Sequence, residues 1–276
     1  MSMLSQITSG VTQTGVRTVF AGQEKMGKTT ISCGAPNTLL IPCEVGFAGV
    51  ATHKVPIITA YENLLALIAE ITAYAQMGQF QYRTITIDSV TALERLIDDY
   101  IIRLDPASMN SKKTVTMESA HGGFGKAFTM AKSEFEKFLA QLDVLAVYGN
   151  ININFTAHVF SSKVSDPTVG EYDSWDILLH SPKNGKNYGK REVLTQWADV
   201  VGFLYEPIYL VENNGSSRGI SQNKGRVLAV SRTPSYTAGN RFGMVGEIQI
   251  PPPPENGWNR FAHALYEKSG IDIYTR

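Results

Sequence analysis

Short apolar runs alternate with amphipathic stretches along the first 160 residues of the chain. "VRTVFAG" (16–22), "NTLLIPCE" (37–44), "TITID" (84–88) and "NININFTAHVF" (150–160) are rich in β-branched and aromatic residues. Their length and composition predict buried strands. Between them the apolar positions take helical spacing. "YENLLALIAEITAYAQMG" (61–78), the stretch after Asp88, and "HGGFGKAFTMAKSEFEKFLAQL" (121–142) predict amphipathic helices, the last opened by glycines. Strand and helix in alternation predict an α/β fold with a mainly parallel sheet covered by helices. From Ala198 to Ile250 the pattern is β-rich, and "VENNGSSRGISQNKG" (211–225) reads as a hairpin connection, so an antiparallel C-terminal extension is expected. "PPPP" (251–254) is a stiff spacer before an amphipathic "GWNRFAHALYEKSG" (257–270). We expect one domain over 1–250, and over 251–276 a spacer and a short helix that packs on the core or on a neighbouring subunit.

Composition narrows the class. An apolar fraction of 43% is enough for a substantial core, while no apolar run approaches the roughly 18 residues of a membrane span. The N-terminus lacks the basic start and apolar centre of a secretory signal. The only cysteines, Cys33 and Cys43, have no metal-ligand spacing, which predicts a reduced, cytoplasmic setting and no zinc site. A net charge of zero excludes a surface coated in positive charge but leaves room for a local basic groove.

Chemistry enters at "GQEKMGKT", which satisfies G-x-x-x-x-G-K-[ST] between a strand and a short helix. In such a loop the backbone of Gly22, Gln23, Glu24, Lys25, Met26, Gly27, Lys28, Thr29 and Thr30 would surround ATP phosphates. Lys28 would reach the β- and γ-phosphates, and the Thr29 hydroxyl would sit on Mg²⁺. Asp88, at the end of an apolar run, would hold the same Mg²⁺; taken alone, it would serve equally as a helix cap. Glu44 also ends a strand, where α/β proteins bind ligands, and would orient or activate the attacking water. His158, at the tip of the fourth strand, would report the γ-phosphate by a hydrogen bond.

Taken in this order, the motifs resemble the RecA-type recombinase core. "GQEKMGKTT" is similar to its phosphate loop, "TLLIPCE" to the strand ending in its catalytic glutamate, and "TITIDSVTAL" to its metal-aspartate motif. "INFTAHVF" falls where that core has its γ-phosphate-sensing strand. Over residues 16–250 the chain is most similar to small phage-type RecA-like ATPases of the Sak single-strand-annealing class, with "QWADVVGFL" and "AGNRFG" resembling later blocks. No counterpart of the RecA N- and C-terminal domains is expected, and His158 stands where RecA has glutamine, so annealing is expected rather than strand exchange.

The resemblance implies an ATPase that binds single-stranded DNA in recombination, annealing or repair, as a ring or filament, with a single-strand-binding protein as a possible partner. If the chain is phage-encoded, it would work in the host bacterial cytoplasm. It also implies DNA loops after the metal-aspartate helix and after the sensing strand. The first (104–123) carries Lys112 and Lys113; the second, from Ser161 to about Gln196, is read as irregular and carries Lys183, Lys186, Tyr188, Lys190 and Arg191. Cations with an interleaved aromatic suit non-specific single-strand binding, although Asp166, Glu171, Asp173 and Asp176 oppose it. Arg241 is the candidate finger for a neighbour's phosphates. Three other functions share the loop: a hexameric helicase or translocase, a small-molecule kinase, and a nucleotide-gated scaffold with negligible turnover.

Overall fold

The computed structural model describes residues 7, 9–110, 115–182, 189–213, 216–221, 225–252 and 255–273. β1 (Arg17–Gly22) runs through a glycine loop into the short helix α1 (Lys28–Ser32). β2 (Thr38–Pro42), the two-residue β3 (His53–Lys54) and α2 (Tyr61–Gln76) follow. Next come β4 (Thr84–Asp88), α3 (Val90–Arg103), a short α4 (Pro106–Asn110), α5 (Lys126–Asp143) and β5 (Asn152–Ala157). β6 (Val159–Asp166) and β7 (Gly170–Ile177) pair with each other, and α6 (Lys190–Trp197) leads back to β8 (Val200–Tyr205). β9 (Ile208–Asn213) and β10 (Ser216–Ser221) form a second hairpin. β11 (Arg226–Ala229), β12 (Gly239–Asn240), β13 (Glu247–Ile250) and α7 (Gly257–Ser269) complete the chain.

The main sheet has the order β13-β11-β8-β1-β5-β4-β2-β3, with β12 also paired to β8. From β3 through β8 every pairing is parallel. β11, β12 and β13 add antiparallel. The result is an α/β core with a largely parallel sheet flanked by helices and an antiparallel extension, as the sequence pattern predicts.

Both faces of the sheet are dry, which is why its strands read as continuous apolar runs. Strand periodicity divides β1 between them: Val19 and Ala21 face a core built with Tyr61, Leu64, Ile68, Leu93, Phe135 and Phe138. Phe20 faces the opposite core, with Ile31, Trp258, Phe261 and Leu265. The helix starts are set locally. The Ser89 hydroxyl accepts from the Ala92 N–H at 3.2 Å to open α3, and the Asn256 side chain caps α7 through the Trp258 N–H at 3.0 Å. Among the described residues no helix is long and apolar enough to cross a membrane.

One expectation is corrected. The segment from Ser161 to Gln196 is not irregular: most of it forms the β6–β7 hairpin and α6. Its polar composition hides a period-two pattern, and the turn has its own chemistry. Asp166 accepts from the Thr168 and Val169 N–H groups at 2.7 and 3.2 Å, and Gly170 takes φ 90°.

α7 docks on its own core. Trp258, Phe261 and Leu265 are buried, and the Phe261 ring meets Phe20 edge-on at 5.6 Å. Phe261→Ala should therefore cost about 3–5 kcal/mol in urea unfolding of the whole chain. A loss below about 1 kcal/mol would show that α7 is dispensable to the core.

Candidate nucleotide site

The strand order brings the chemistry together. β5 lies between β1 and β4, and β2 lies beyond β4, so the C-terminal ends of all four open on one edge. Ala21 is level with Ala157, Thr156 with Asp88, and Asp88 with Pro42. The loop, His158 and Glu44 thus follow strand ends on that edge, and Asp88 is itself the last residue of β4.

The loop after β1 is shaped to leave donors free. Gly22 passes so close to β8 that a Cβ would lie 2.4 Å from the Leu204 carbonyl oxygen, and Lys25 and Gly27 take φ of 62° and 84°. Among the described residues, the N–H groups of Lys25 through Thr29 have no backbone acceptor. A run of backbone N–H groups left without backbone acceptors binds anions. Lys28 is buried, and its ammonium donates to the Gly22 and Gln23 carbonyls at 2.8 and 2.7 Å. Burial draws its pKa below the ordinary lysine value, against the pull of Glu24, Asp88 and Glu44. The ammonium is therefore held at the site where an anion would satisfy it better than carbonyls do.

Asp88 is only 5% exposed, and hydroxyls are its side-chain partners. Thr29 donates to one carboxylate oxygen at 3.0 Å and Thr156 to the other. Burial pushes the Asp88 carboxyl above its ordinary value, and the two hydroxyl bonds work against that; Glu44 adds to the rise and Lys28 opposes it. No lysine, arginine or histidine forms an ion pair with Asp88 among the described residues. A buried carboxylate beside a threonine hydroxyl, with no cation of its own, fits Mg²⁺. That ion takes one or two protein oxygens and completes its shell from phosphate and water. It needs no protein cage, and among the described residues no group of three or more His, Cys, Asp or Glu makes one.

Glu44 and His158 meet across the site. His158 Nε2 lies 2.9 Å from Glu44 Oε1, and Arg95 reaches the other Glu44 oxygen at 3.5 Å. Burial raises the Glu44 pKa, but hydrogen bonds from His158 and Ser89 and the charges of His158 and Arg95 outweigh it. The carboxyl sits below its ordinary value. His158 is held by its own backbone: its N–H donates to Thr91 Oγ1 at 3.1 Å and its carbonyl accepts from Leu178 N–H at 2.8 Å. Its Nδ1 is buried without a hydrogen bond, 3.8 Å from the exposed Glu24 carboxylate.

Other expected residues fall elsewhere. Arg241 is no free finger: it donates to Asp199 at 3.1 Å and to the Gln196 carbonyl. It follows β12, which pairs with the start of β8, so it lies at the sheet edge opposite the phosphate loop. Lys190 is not a loop cation either. It is buried in the first turn of α6, 3.1 Å from Glu94 and 2.5 Å from Asp98 on α3. Arg191 pairs with Asp176 at 3.0 Å and Glu192 at 3.1 Å, over the Phe160 ring. In all three the carboxylate partners come from elsewhere in the fold or from the same helix turn, and they neutralise these three cations. Lys112, Lys113, Lys183, Lys186 and Tyr188 lie outside the described residues.

The sequence reading passed over Thr156, Thr91, Arg95 and Arg226. Thr156 carries a signal, a hydroxyl within a fully buried strand. Arg226, which donates to the Met26 carbonyl at 2.6 Å from a strand distant in sequence, carries none.

A family model described as an AAA domain matches residues 14–242, most of the chain. Compared with the curated proteins, the chain has no match.

The raised Asp88 pKa has a consequence for stability. A carboxyl whose folded value exceeds its unfolded one stabilises the fold below the unfolded value, and the contribution is lost as pH rises through the folded value. At pH 7 the ionised carboxylate is then a net cost to the nucleotide-free protein. Asp88→Asn should melt at a higher temperature than wild type at pH 7, and the gain should shrink as pH falls through the raised folded value and be gone by about pH 4, the ordinary aspartate value. A variant less stable at pH 7 would contradict this.

Proposed function

Because the chain belongs to the AAA domain family of P-loop ATPases, whose members use ATP and Mg²⁺, we propose that it hydrolyses Mg²⁺-ATP in the Gly22–Thr30 loop and uses the cycle to bind single-stranded DNA during annealing, recombination or repair. Mg²⁺-ATP, when bound, supplies the scissile phosphoanhydride bond and the divalent charge that offsets the developing negative charge. Lys28 exchanges its bonds to the Gly22 and Gln23 carbonyls for phosphate oxygens. Thr29 Oγ1 and the Asp88 carboxylate take the metal side. Glu44, held ionised by its neighbours, orients the attacking water and accepts its proton; a carboxyl with a lowered pKa is a weak base, so orientation is its larger part.

The observation that carries this reading is the 2.9 Å contact between His158 and Glu44 at the mouth of the loop. It joins the candidate water-orienting group to the residue immediately before the β6–β7 hairpin. A change in what Glu44 binds is therefore felt at His158, whose carbonyl is tied to Leu178 just beyond β7. The hairpin itself carries Asp166, Glu171, Asp173 and Asp176 against Lys163, which is unsuited to gripping a polyanion. The DNA reading rests on the RecA-type resemblance and on the lysines at 112, 113, 183 and 186. Assembly into a ring or filament, and contact with a single-strand-binding protein, rest on the same resemblance.

Steady-state hydrolysis by the purified chain, with single-stranded or duplex DNA, tests the proposal. Turnover stimulated by single strands and abolished in Lys28→Ala is the expected result. Lys28-dependent turnover indifferent to both DNAs would reject the DNA reading and leave the ATPase. Glu44→Gln should lower turnover about a hundredfold or more while ATP still binds. Normal turnover in that variant would remove Glu44 from its role.

A further inference from the structure

Arg226 stands against the phosphate loop from the opposite side to the hydrolysis cluster. It is the first residue of β11, and β11 pairs with β8, the neighbour of β1 on the flank away from β5. Its Nη1 donates to the Met26 carbonyl at 2.6 Å. The approach is close enough that a Cβ on Gly27 would fall 1.9 Å from the same nitrogen, so Gly27 is needed both for its φ of 84° and for the space the guanidinium fills. Arg226 is partly buried and forms no ion pair among the described residues. A planar cation with spare N–H donors, fixed by one prong to a loop carbonyl, is set to take an oxyanion or a sugar hydroxyl with the others.

Sheet order says which part of a ligand it meets. Glu44, Asp88 and His158 all come from strand ends on the β5 side of β1. A nucleotide that turned its terminal phosphate to that flank would have its nucleoside end toward β8 and β11.

We infer that Arg226 is a second cation of the nucleotide site, supplied by the antiparallel extension, which contacts the nucleoside end of the ligand through its ribose hydroxyls. The inference rests on the nucleotide reading proposed above. It also gives the extension a part in the site that the parallel core alone does not provide.

Calorimetric titration of the full chain with ADP, ATP and inorganic tripolyphosphate, each with Mg²⁺, tests it. Arg226→Ala should weaken ADP and ATP alike by about tenfold or more, the scale of a lost hydrogen bond to a charged group, and leave tripolyphosphate unchanged. Arg226→Lys, which keeps the charge and most of the packing, should fall between the two and guards against misfolding of the alanine variant; the melting temperature without nucleotide checks both. Unchanged ADP affinity in both variants overturns the inference. So does an equal loss for tripolyphosphate, which would make Arg226 a support for the loop's shape. Lys28→Ala, run in parallel, should weaken all three ligands. Wild type that binds none of them would overturn the nucleotide reading and this inference together, whereas loss in Lys28→Ala with normal Arg226 variants would overturn this inference alone.

Discussion

A carboxylate buried at the end of a strand, with hydroxyls for partners and no ion pair among the described residues, is the constraint around which this structure is organised. Asp88 is buried, and the side chains that hydrogen-bond it are neutral hydroxyls. Burying an unpaired charge is costly, and the raised pKa is the direct expression of that cost. Lys28 is under the complementary tension, an ammonium drawn down by burial and held by carbonyls. The two attract each other across the site, but among the described residues they form no ion pair. A ligand that brings both a divalent cation and a phosphate satisfies both at once.

The fold serves that constraint through strand order. A strand inserted between β1 and β4 puts Thr156 beside Asp88 and His158 between the loop and Glu44. The opposite flank, extended by antiparallel strands, brings Arg226 onto the outside of the same loop. The two dry faces of the sheet, packed by α2, α3 and α5 on one side and α1 and α7 on the other, give these strand ends a rigid base.

How much of this was legible in the sequence follows from how far each interaction reaches along the chain. The loop, Asp88 and the strands that carry them are local patterns: a glycine spacing, an apolar run, a polar residue at its end. Glu44 and His158 drew attention for the same reason, and the structure sets their side chains 2.9 Å apart. Lys190 and Arg191 do not stand free as their sequence neighbourhood suggests, because a run of lysines and arginines says nothing about distant carboxylates. Lys190 is neutralised by Asp98 from 92 residues away, and Arg241 by Asp199 from 42. Arg226 contacts a carbonyl 200 residues distant and belongs to no motif. The β6–β7 hairpin was hidden by polar side chains on strands that need cover only one face.

The most direct measurement of the central claim is thermal unfolding of the full chain with EDTA, with Mg²⁺ alone, with ATP in EDTA, and with Mg²⁺-ATP. Ligand binding to the folded state raises the melting temperature, by more the tighter it binds at a given concentration. The account predicts the largest rise with Mg²⁺-ATP, a smaller one with ATP in EDTA, and loss of the Mg²⁺-dependent part in Asp88→Ala and of both rises in Lys28→Ala. No rise in wild type, or the same rise in all three proteins, would mean that the Lys28–Asp88 pocket is not where the nucleotide binds.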